Sequence, residues 1–343
     1  MLQPTMVSDS SIRPVEPVIV LMGPTAIGKS RVAIEIAKEL ETEILTADSR
    51  QVYRGMDIGT DKPTLQERQG IPHRLIDLVN PDQHFSVGDY RQHARHMIEG
   101  LHKHGKIPLV AGGTGLYIRT LLHGLWTGPP ANWDLRKQLD LQAREKGAAY
   151  VHRQLSQVDP ALARRLHPND YVKVQRGLEV YHALGIPLSD AHQQHNFQEA
   201  PYHALVIGLR MEREHLYQRI DDRVEREIEK GLIDETQRLL AEGYHRHLSS
   251  MTSLGYKQMA GYLMGEYSYE EAVRILKRDT RHFAKRQITW FRKEPSVQWL
   301  NVAAHESATD VASRALEVIQ GFLTHLHDNA PQNLEAVPSH THS

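Results

Sequence analysis

Eight residues near the N-terminal end of the chain, Gly23-Pro24-Thr25-Ala26-Ile27-Gly28-Lys29-Ser30, have the types and spacing of a phosphate-binding loop. In such a loop successive backbone N–H groups wrap around phosphate oxygens, and the following helix N-terminus adds positive potential. Lys29 brings a point charge, Ser30 brings a hydroxyl suited to Mg²⁺, and the glycines permit the turn. The pattern calls for at least a diphosphate and does not select ATP. A small-molecule kinase and an ATP-driven motor on nucleic acid therefore stay open beside an enzyme that uses a diphosphate ester. The Asn-Lys-x-Asp motif of GTPases is absent.

A second chemical candidate is Asp48, which closes the short apolar run Glu43–Ala47. A carboxylate at the end of a parallel strand lies where open α/β sheets bind ligands and can exchange a proton with substrate. It can equally cap the next turn. Thr114, in Gly112-Gly113-Thr114-Gly115, reads the same way, as a substrate-holding hydroxyl or as a turn residue. The chain has no cysteine, which excludes thiolate nucleophiles, disulfides and Cys-ligated metals. The 22 histidines contain no H-E-x-x-H pattern and read as surface or structural residues.

These residues need a scaffold. Val18–Met22 is a continuous apolar run, expected for a strand buried on both faces. A helix with Val32, Ile36 and Leu40 on one side follows it. Further strands are expected at 43–47, 74–78, 107–111 and 203–209, and helices near 213–230, 231–243 and 269–294. The alternation predicts an α/β fold, a parallel sheet of the P-loop type covered by helices. From the breaker-rich hinge Trp126–Pro130 to about 198 strand character stops, which predicts a helical insertion at 126–198. The core then comprises 15–125 and 199–326, with loose tails at 1–14 and 327–343. The polar N-terminus and the lack of a membrane-length apolar run predict a soluble, cytoplasmic protein.

The run Ala47 to Pro63 resembles the D-S-x-Q-x-Y…I-G-T-x-K-P signature of the tRNA dimethylallyltransferases, also called tRNA isopentenyltransferases. Pro72–Asp77, Val110–Tyr117, Leu254–Lys257 and Lys285–Arg292 resemble later motifs of that family, in family order. The likeness covers about residues 17–300. Ile27 departs from the small residue usual in the loop, and Arg50 and Asp61 fall at variable positions.

The resemblance implies transfer of a dimethylallyl group from dimethylallyl diphosphate to the exocyclic amine of the adenine 3′ of the anticodon in tRNA. Asp48 is then the general base, the donor diphosphate sits in Gly23–Ser30 with Mg²⁺, Thr25 contacts it, and Arg223 reaches it from a later helix. An i,i+4 pair with Glu227 is the alternative for Arg223. Thr114 helps to hold the reactive base. Implied tRNA contacts are Asp48, Ser49, Arg50, Gln51 and Thr114; Arg136 and Val172, Lys173, Val174, Gln175 and Arg176 in the insertion; Gly255, Tyr256 and Lys257; and Lys285, Arg286, Gln287, Ile288, Thr289, Trp290, Phe291 and Arg292. The resemblance also suggests a monomer.

Lys plus Arg is 41 against 42 Asp plus Glu, a balance that hides a local excess. Between Arg274 and Lys293 eight basic residues stand against one acid, Asp279. Leu276, Phe283 and Trp290 are expected on the buried side of that helix, with Arg274, Arg278, Arg281 and Lys285 on a solvent stripe. The stripe is either a solvated face or a phosphate footprint.

Overall fold

Strand β1 (Pro17–Met22) is buried on both faces because its side chains alternate between two apolar layers. Ile19 and Leu21 enter one layer, and Val18, Val20 and Met22 the other. The computed structural model describes residues 16–126, 128–195 and 199–328, so the expected tails at 1–14 and 329–343 lie outside the described residues. After β1 come α1 (Lys29–Glu39), β2 (Ile44–Ala47), β3 (His73–Arg74), α2 (Val87–Lys103), β4 (Leu109–Gly112) and α3 (Gly115–His123). Five helices follow: α4 (Trp133–Lys146), α5 (Ala148–Val158), α6 (Pro160–Arg165), α7 (Tyr171–Leu184) and α8 (Leu188–His195). The chain then forms β5 (His203–Arg210), α9 (Arg213–Glu229), α10 (Leu232–Ala241), α11 (Tyr256–Leu263), α12 (Tyr269–Phe291), β6 (Val297–Asn301) and α13 (Ala308–Asp328).

Two compact units result, one from the described residues up to 122 and from 201 onward, the other from 123–200. The first holds a six-stranded sheet in the order β3-β2-β4-β1-β5-β6, parallel at every pairing. Helices α1 and α13 fill one apolar layer, and α2 and α3 the other. A third cluster packs Val52, Tyr53 and Met56 beneath Val224, Leu232, Tyr256, Met259 and Leu276. In the second unit α4, α5, α6 and α7 close on Leu139, Val151, Leu155, Ala163, Val174 and Leu178. Its Asp159-Pro160 turn is fixed by the fully buried Asp159, whose Oδ1 accepts from Leu162 N–H at 2.9 Å while Pro160 occupies the first helical position. Among the described residues no helix is long and apolar enough to cross a membrane.

Several elements differ from expectation. The strand expected at 74–78 is only His73–Arg74, because Leu75 (φ 64°) and Asp77 (φ 54°) enter the left-handed region and break the ladder. Pro108 does not join β4. It precedes the strand, and its carbonyl accepts from Ile19 N–H at 3.0 Å. Residues 327 and 328, expected in the loose tail, belong to α13. Strand β6 and helices α11 and α13 were not anticipated. Among the described residues strand β6 pairs with β5 alone, and it has no continuous apolar run, whereas α13 does carry a helical stripe, Val311, Ala315 and Ile319.

Candidate active site

Strand register assembles the site. Met22 on β1 and Ala47 on β2 both pair with Gly112 on β4, so three parallel strands end level. Residues 23–30, Asp48 and Gly113-Thr114 therefore leave the sheet side by side at its carboxyl edge. Gly112 is obligatory there, since a Cβ would lie 2.1 Å from the Ala47 carbonyl oxygen.

The 23–30 loop takes its shape from Gly28, which adopts φ 100° as the N-cap of α1. The Ile27 side chain is buried in the core, leaving the loop surface to backbone and to Lys29. Lys29 Nζ donates to the Pro24 carbonyl at 3.0 Å. Burial pulls the Lys29 ammonium down to about 8, and the Arg223 charge adds to that, while Asp48 and Asp61 oppose it. The side chain keeps a partial solvent-accessible face, so it can still meet a ligand.

Helix α9 supplies the rest of the cationic wall at one helical repeat. Arg223 donates from Nη1 to Thr25 Oγ1 at 2.6 Å, pairs with Glu227 at 2.6 Å through Nε, and lies 3.3 Å from Asp61. The i,i+4 pair with Glu227 is present, and the same guanidinium also reaches Thr25 of the 23–30 loop. Burial works against its charge, but Asp61 and Glu227 outweigh that and hold its pKa above the usual arginine value. One turn earlier, Arg219 donates to the carbonyls of Ile27 (3.1 Å) and Ala304 (2.9 Å) and clamps the loop from behind. Arg219 was not foreseen, although its i,i+4 spacing to Arg223 was a usable signal.

Lys29 makes diphosphate binding at this loop depend on pH. A bound diphosphate stabilises the ammonium, so binding above about pH 8 takes up a proton, whereas below that value Lys29 is already charged. Affinity for inorganic diphosphate is expected to fall by up to about tenfold per pH unit as pH rises past 8. Calorimetry of wild type against Lys29→Met in buffers of different ionisation enthalpy separates this proton from those of diphosphate itself. Equal proton uptake in both proteins would remove Lys29 from the site.

For Asp48 the capping alternative is realised. Its Oδ1 accepts from the N–H groups of Arg50 (2.8 Å) and Gln51 (3.3 Å), which caps the turn. Its Oδ2 accepts no hydrogen bond among the described residues, and Asp48 lines the cavity. Thr114 Oγ1 accepts from Ser49 N–H at 3.0 Å, and Thr114 N–H donates to the Ala47 carbonyl at 3.0 Å. The base candidate and Thr114 are therefore locked together across β2 and β4. A cavity of about 1540 Å³ runs from the phosphate loop past Asp48 and Thr114 to Lys257 and Arg286.

Several residues expected to touch RNA act as internal supports. The Gln51 amide donates to the carbonyls of Thr60 (3.0 Å) and Asp61 (3.1 Å). Tyr256 is fully buried, and its hydroxyl donates to Glu235, which accepts the N–H groups of Asp57 and Ile58. Burial and the Glu235 charge push the Tyr256 phenol far up, so it stays a neutral donor. Gly255, Gln287 and Phe291 are buried as well, as are Val174 and Gln175 in the second unit. The side chains of Tyr256, Phe291 and Val174 are thus enclosed by protein, whereas Gln51 and Gln287 still border the cavity. Arg136 forms a two-point pair with the buried Glu179, at 2.6 and 2.9 Å, and Arg176 joins it at 3.3 Å. Val172 and Lys173 are exposed beside them.

On α12 the buried face runs Ala272, Leu276, Thr280, Ala284, Gln287 and Phe291, whereas Phe283 and Trp290 are only half-buried. Spacing of seven drifts around a helix of 3.6 residues per turn, and the polar Thr280 and Gln287 concealed the true stripe. Most of the expected basic stripe is internally paired. Arg274 meets Glu271 at 2.7 Å, Lys277 meets Glu225, Arg278 meets Asp279 at 2.8 Å, and Arg281 lies 3.6 Å from Asp221. Lys285, Arg292 and Lys293 are exposed with no ion pair among the described residues, and exposed Arg286 lies over Phe283.

Among the described residues no three His, Cys, Asp or Glu side chains converge on a metal position. The loop does offer the exposed Ser30 hydroxyl, which lines the cavity. That donor suits Mg²⁺, which keeps waters and takes phosphate oxygens rather than needing an all-protein cage. The carboxylates Asp48, Asp61 and Glu227 outnumber the cations Lys29 and Arg223 they act on, so a diphosphate trianion would enter more readily with a divalent cation.

Fold and site together define a P-loop α/β protein whose strand edge joins a loop of the phosphate-binding type to a carboxylate and a basic surface. Residues 51–294 match the family model of the IPP transferases, and the chain belongs to that family. A tRNA dimethylallyltransferase of Alkaliphilus oremlandii is 47% identical over 309 residues, covering 90% of this chain and 98% of that protein. One from Syntrophobacter fumaroxidans is 49% identical over 287 residues, covering 84% of each. The crystal structure of the full-length tRNA isopentenylpyrophosphate transferase of Bacillus halodurans has a TM-score of 0.68 and 38% identity, covering 91% of this chain and 98% of that one. A eukaryotic dimethylallyltransferase acting on tRNA gives a TM-score of 0.76 at 28% identity, covering 90% of this chain and 80% of that one.

Proposed function

We propose that this protein transfers a dimethylallyl group from dimethylallyl diphosphate to N6 of the adenine 3′ of the anticodon in tRNA, releasing diphosphate. The observation that carries the reading is the unengaged Asp48 carboxylate oxygen on the strand edge that also bears the phosphate loop. An exocyclic adenine amine is a poor nucleophile, because its lone pair is delocalised into the ring. As the new N–C bond forms, the amine proton passes to Asp48, and the breaking C–O bond leaves its electron pair on the diphosphate. Lys29, Arg223 and the loop N–H groups receive that charge. Thr114 holds the turn beside the base, and Ser30 would hold Mg²⁺. When bound, Mg²⁺ would neutralise part of the charge on the leaving oxygens. The adenine must leave its stack to reach this edge, at a cost of about a few kcal/mol. Lys257, Lys285, Arg286 and Arg292, with Val172 and Lys173 of the helical unit, supply the RNA-facing groups. The enzyme acts as a cytoplasmic monomer. Mass spectrometry of tRNA incubated with protein, Mg²⁺ and dimethylallyl diphosphate tests the reading. One prenyl group on an anticodon-loop adenine is expected, whereas ATP consumption without prenylation would favour a kinase or ATPase.

The ion pairs on α12 refine where salt dependence arises. Changing Lys285 and Arg286 together to Ala is expected to flatten the slope of log affinity for tRNA against log salt by about 1–2 units, at roughly 0.7–0.9 per phosphate contact. Donor binding should stay unchanged. Changing the internally paired Arg278 and Arg281 should alter the melting curve more than the slope. The reverse assignment, read by titrating labelled tRNA at several salt concentrations, would place the footprint on the first half of α12.

A further inference from the structure

Gln287 lies on the basic helix yet is only 7% exposed, and its amide joins two segments far from it in sequence. Its Oε1 accepts the Thr25 N–H at 2.9 Å, and its Nε2 donates to the Gly113 carbonyl at 2.9 Å. The partners fix the amide's orientation, because an N–H needs an oxygen and a carbonyl needs an NH₂. Each partner leads into one half of the site. Thr25 receives Arg223 through its hydroxyl, and Gly113 precedes Thr114, which holds Ser49 beside Asp48. The contact is close-packed. A Cβ on Gly113 would lie 2.5 Å from Gln287 Nε2, and one on Gly115 would lie 2.4 Å from Trp290 Cε3. The motif Lys285–Trp290 is thus divided by helical period, with Lys285, Arg286 and Thr289 outward and Gln287 inward.

We propose that Gln287 is a positioning residue that sets the separation between the diphosphate loop and the Asp48–Thr114 edge. The proposal rests on the transferase reading, because only a reaction between the two halves needs that separation. The leaving oxygen is held by one half and the attacking amine by the other. Misplacement of one against the other by about 1 Å can cost on the order of 10² in rate. The hydrogen bond to Gly113 is buried and the one from Thr25 is part-buried, so losing the amide leaves the Gly113 carbonyl without a ready substitute.

Gln287→Met keeps the length and bulk and removes both hydrogen bonds, and Gln287→Glu keeps the acceptor for Thr25 and loses the donor to Gly113. In Gln287→Met the single-turnover rate is expected to fall by about 10–10²-fold, with donor KM and tRNA affinity within about threefold of wild type. Gln287→Glu should be intermediate, and its melting curve checks that the fold persists. Hydrogen exchange on the protein alone should quicken in the segments holding Thr25 and Gly113 and nowhere else. Weaker tRNA binding at an unchanged rate would make Gln287 an RNA contact and overturn the proposal. Unchanged exchange at Thr25, or a general loss of protection, would overturn it too. If wild type transfers no prenyl group the functional reading fails, while the exchange result still decides whether the tie exists.

Discussion

Asp48→Asn is expected to lower the single-turnover rate of prenyl transfer by about 10²–10⁴-fold, the usual contribution of a positioned general base. Asparagine is the informative substitution because its side-chain oxygen can still accept from Arg50 and Gln51 N–H, as Asp48 Oδ1 does. The turn and the Ser49–Thr114 contact then survive, while proton acceptance and the carboxylate charge near Lys29 and Arg223 are lost. Affinities for tRNA and for the donor should stay within about threefold of wild type, since a base acting in the transition state adds little to ground-state binding. Asp48→Ala, which also loses the cap, should be at least as slow and somewhat less stable, by about 1 kcal/mol. A near-normal rate in Asp48→Asn would end the base assignment. Loss of Mg²⁺-dependent diphosphate binding would turn Asp48 into a metal-site acid.

Lys29→Ala is expected to cost about 10²–10³ in the transfer rate and to weaken donor binding, with tRNA affinity unchanged. Lys29 acts on both terms because negative charge is present on the bound diphosphate and grows on the leaving oxygen. Arg223 cannot substitute for it, being held by Glu227, Asp61 and Thr25 before any ligand arrives. The effect should therefore appear in donor KM and in the chemical step together, measured with saturating tRNA. Unaltered kinetics with dimethylallyl diphosphate would mean that the loop serves another ligand.

The two predictions depend on different levels of structure. The phosphate loop, Asp48 and the Gly113-Thr114 turn were legible in the sequence because each is local. Each ends an apolar run, and a parallel sheet brings such ends to one edge whatever lies elsewhere in the chain. The five strands recognised in advance share that origin, while β6 escaped because its half-exposed residues carry no apolar run. The roles within the later motifs were not legible in this way. Tyr256 and Gln287 sit in runs that resemble RNA-contacting motifs, yet both are buried, one bracing Glu235 and the other joining Thr25 to Gly113. Polar residues carry no apolar signal, so their inward placement depends on partners up to 262 residues away. The same holds for the basic helix. Its charge excess could be counted from the sequence, but which arginines meet Glu271, Asp279 and Asp221, and which remain turned to solvent, was decided by packing. Sequence alone determined where the chemistry starts, because strand ends and loop spacing are short-range properties. Tertiary structure decided which side chains support that chemistry and which are left to meet RNA, because burial and ion pairing are properties of the assembled chain.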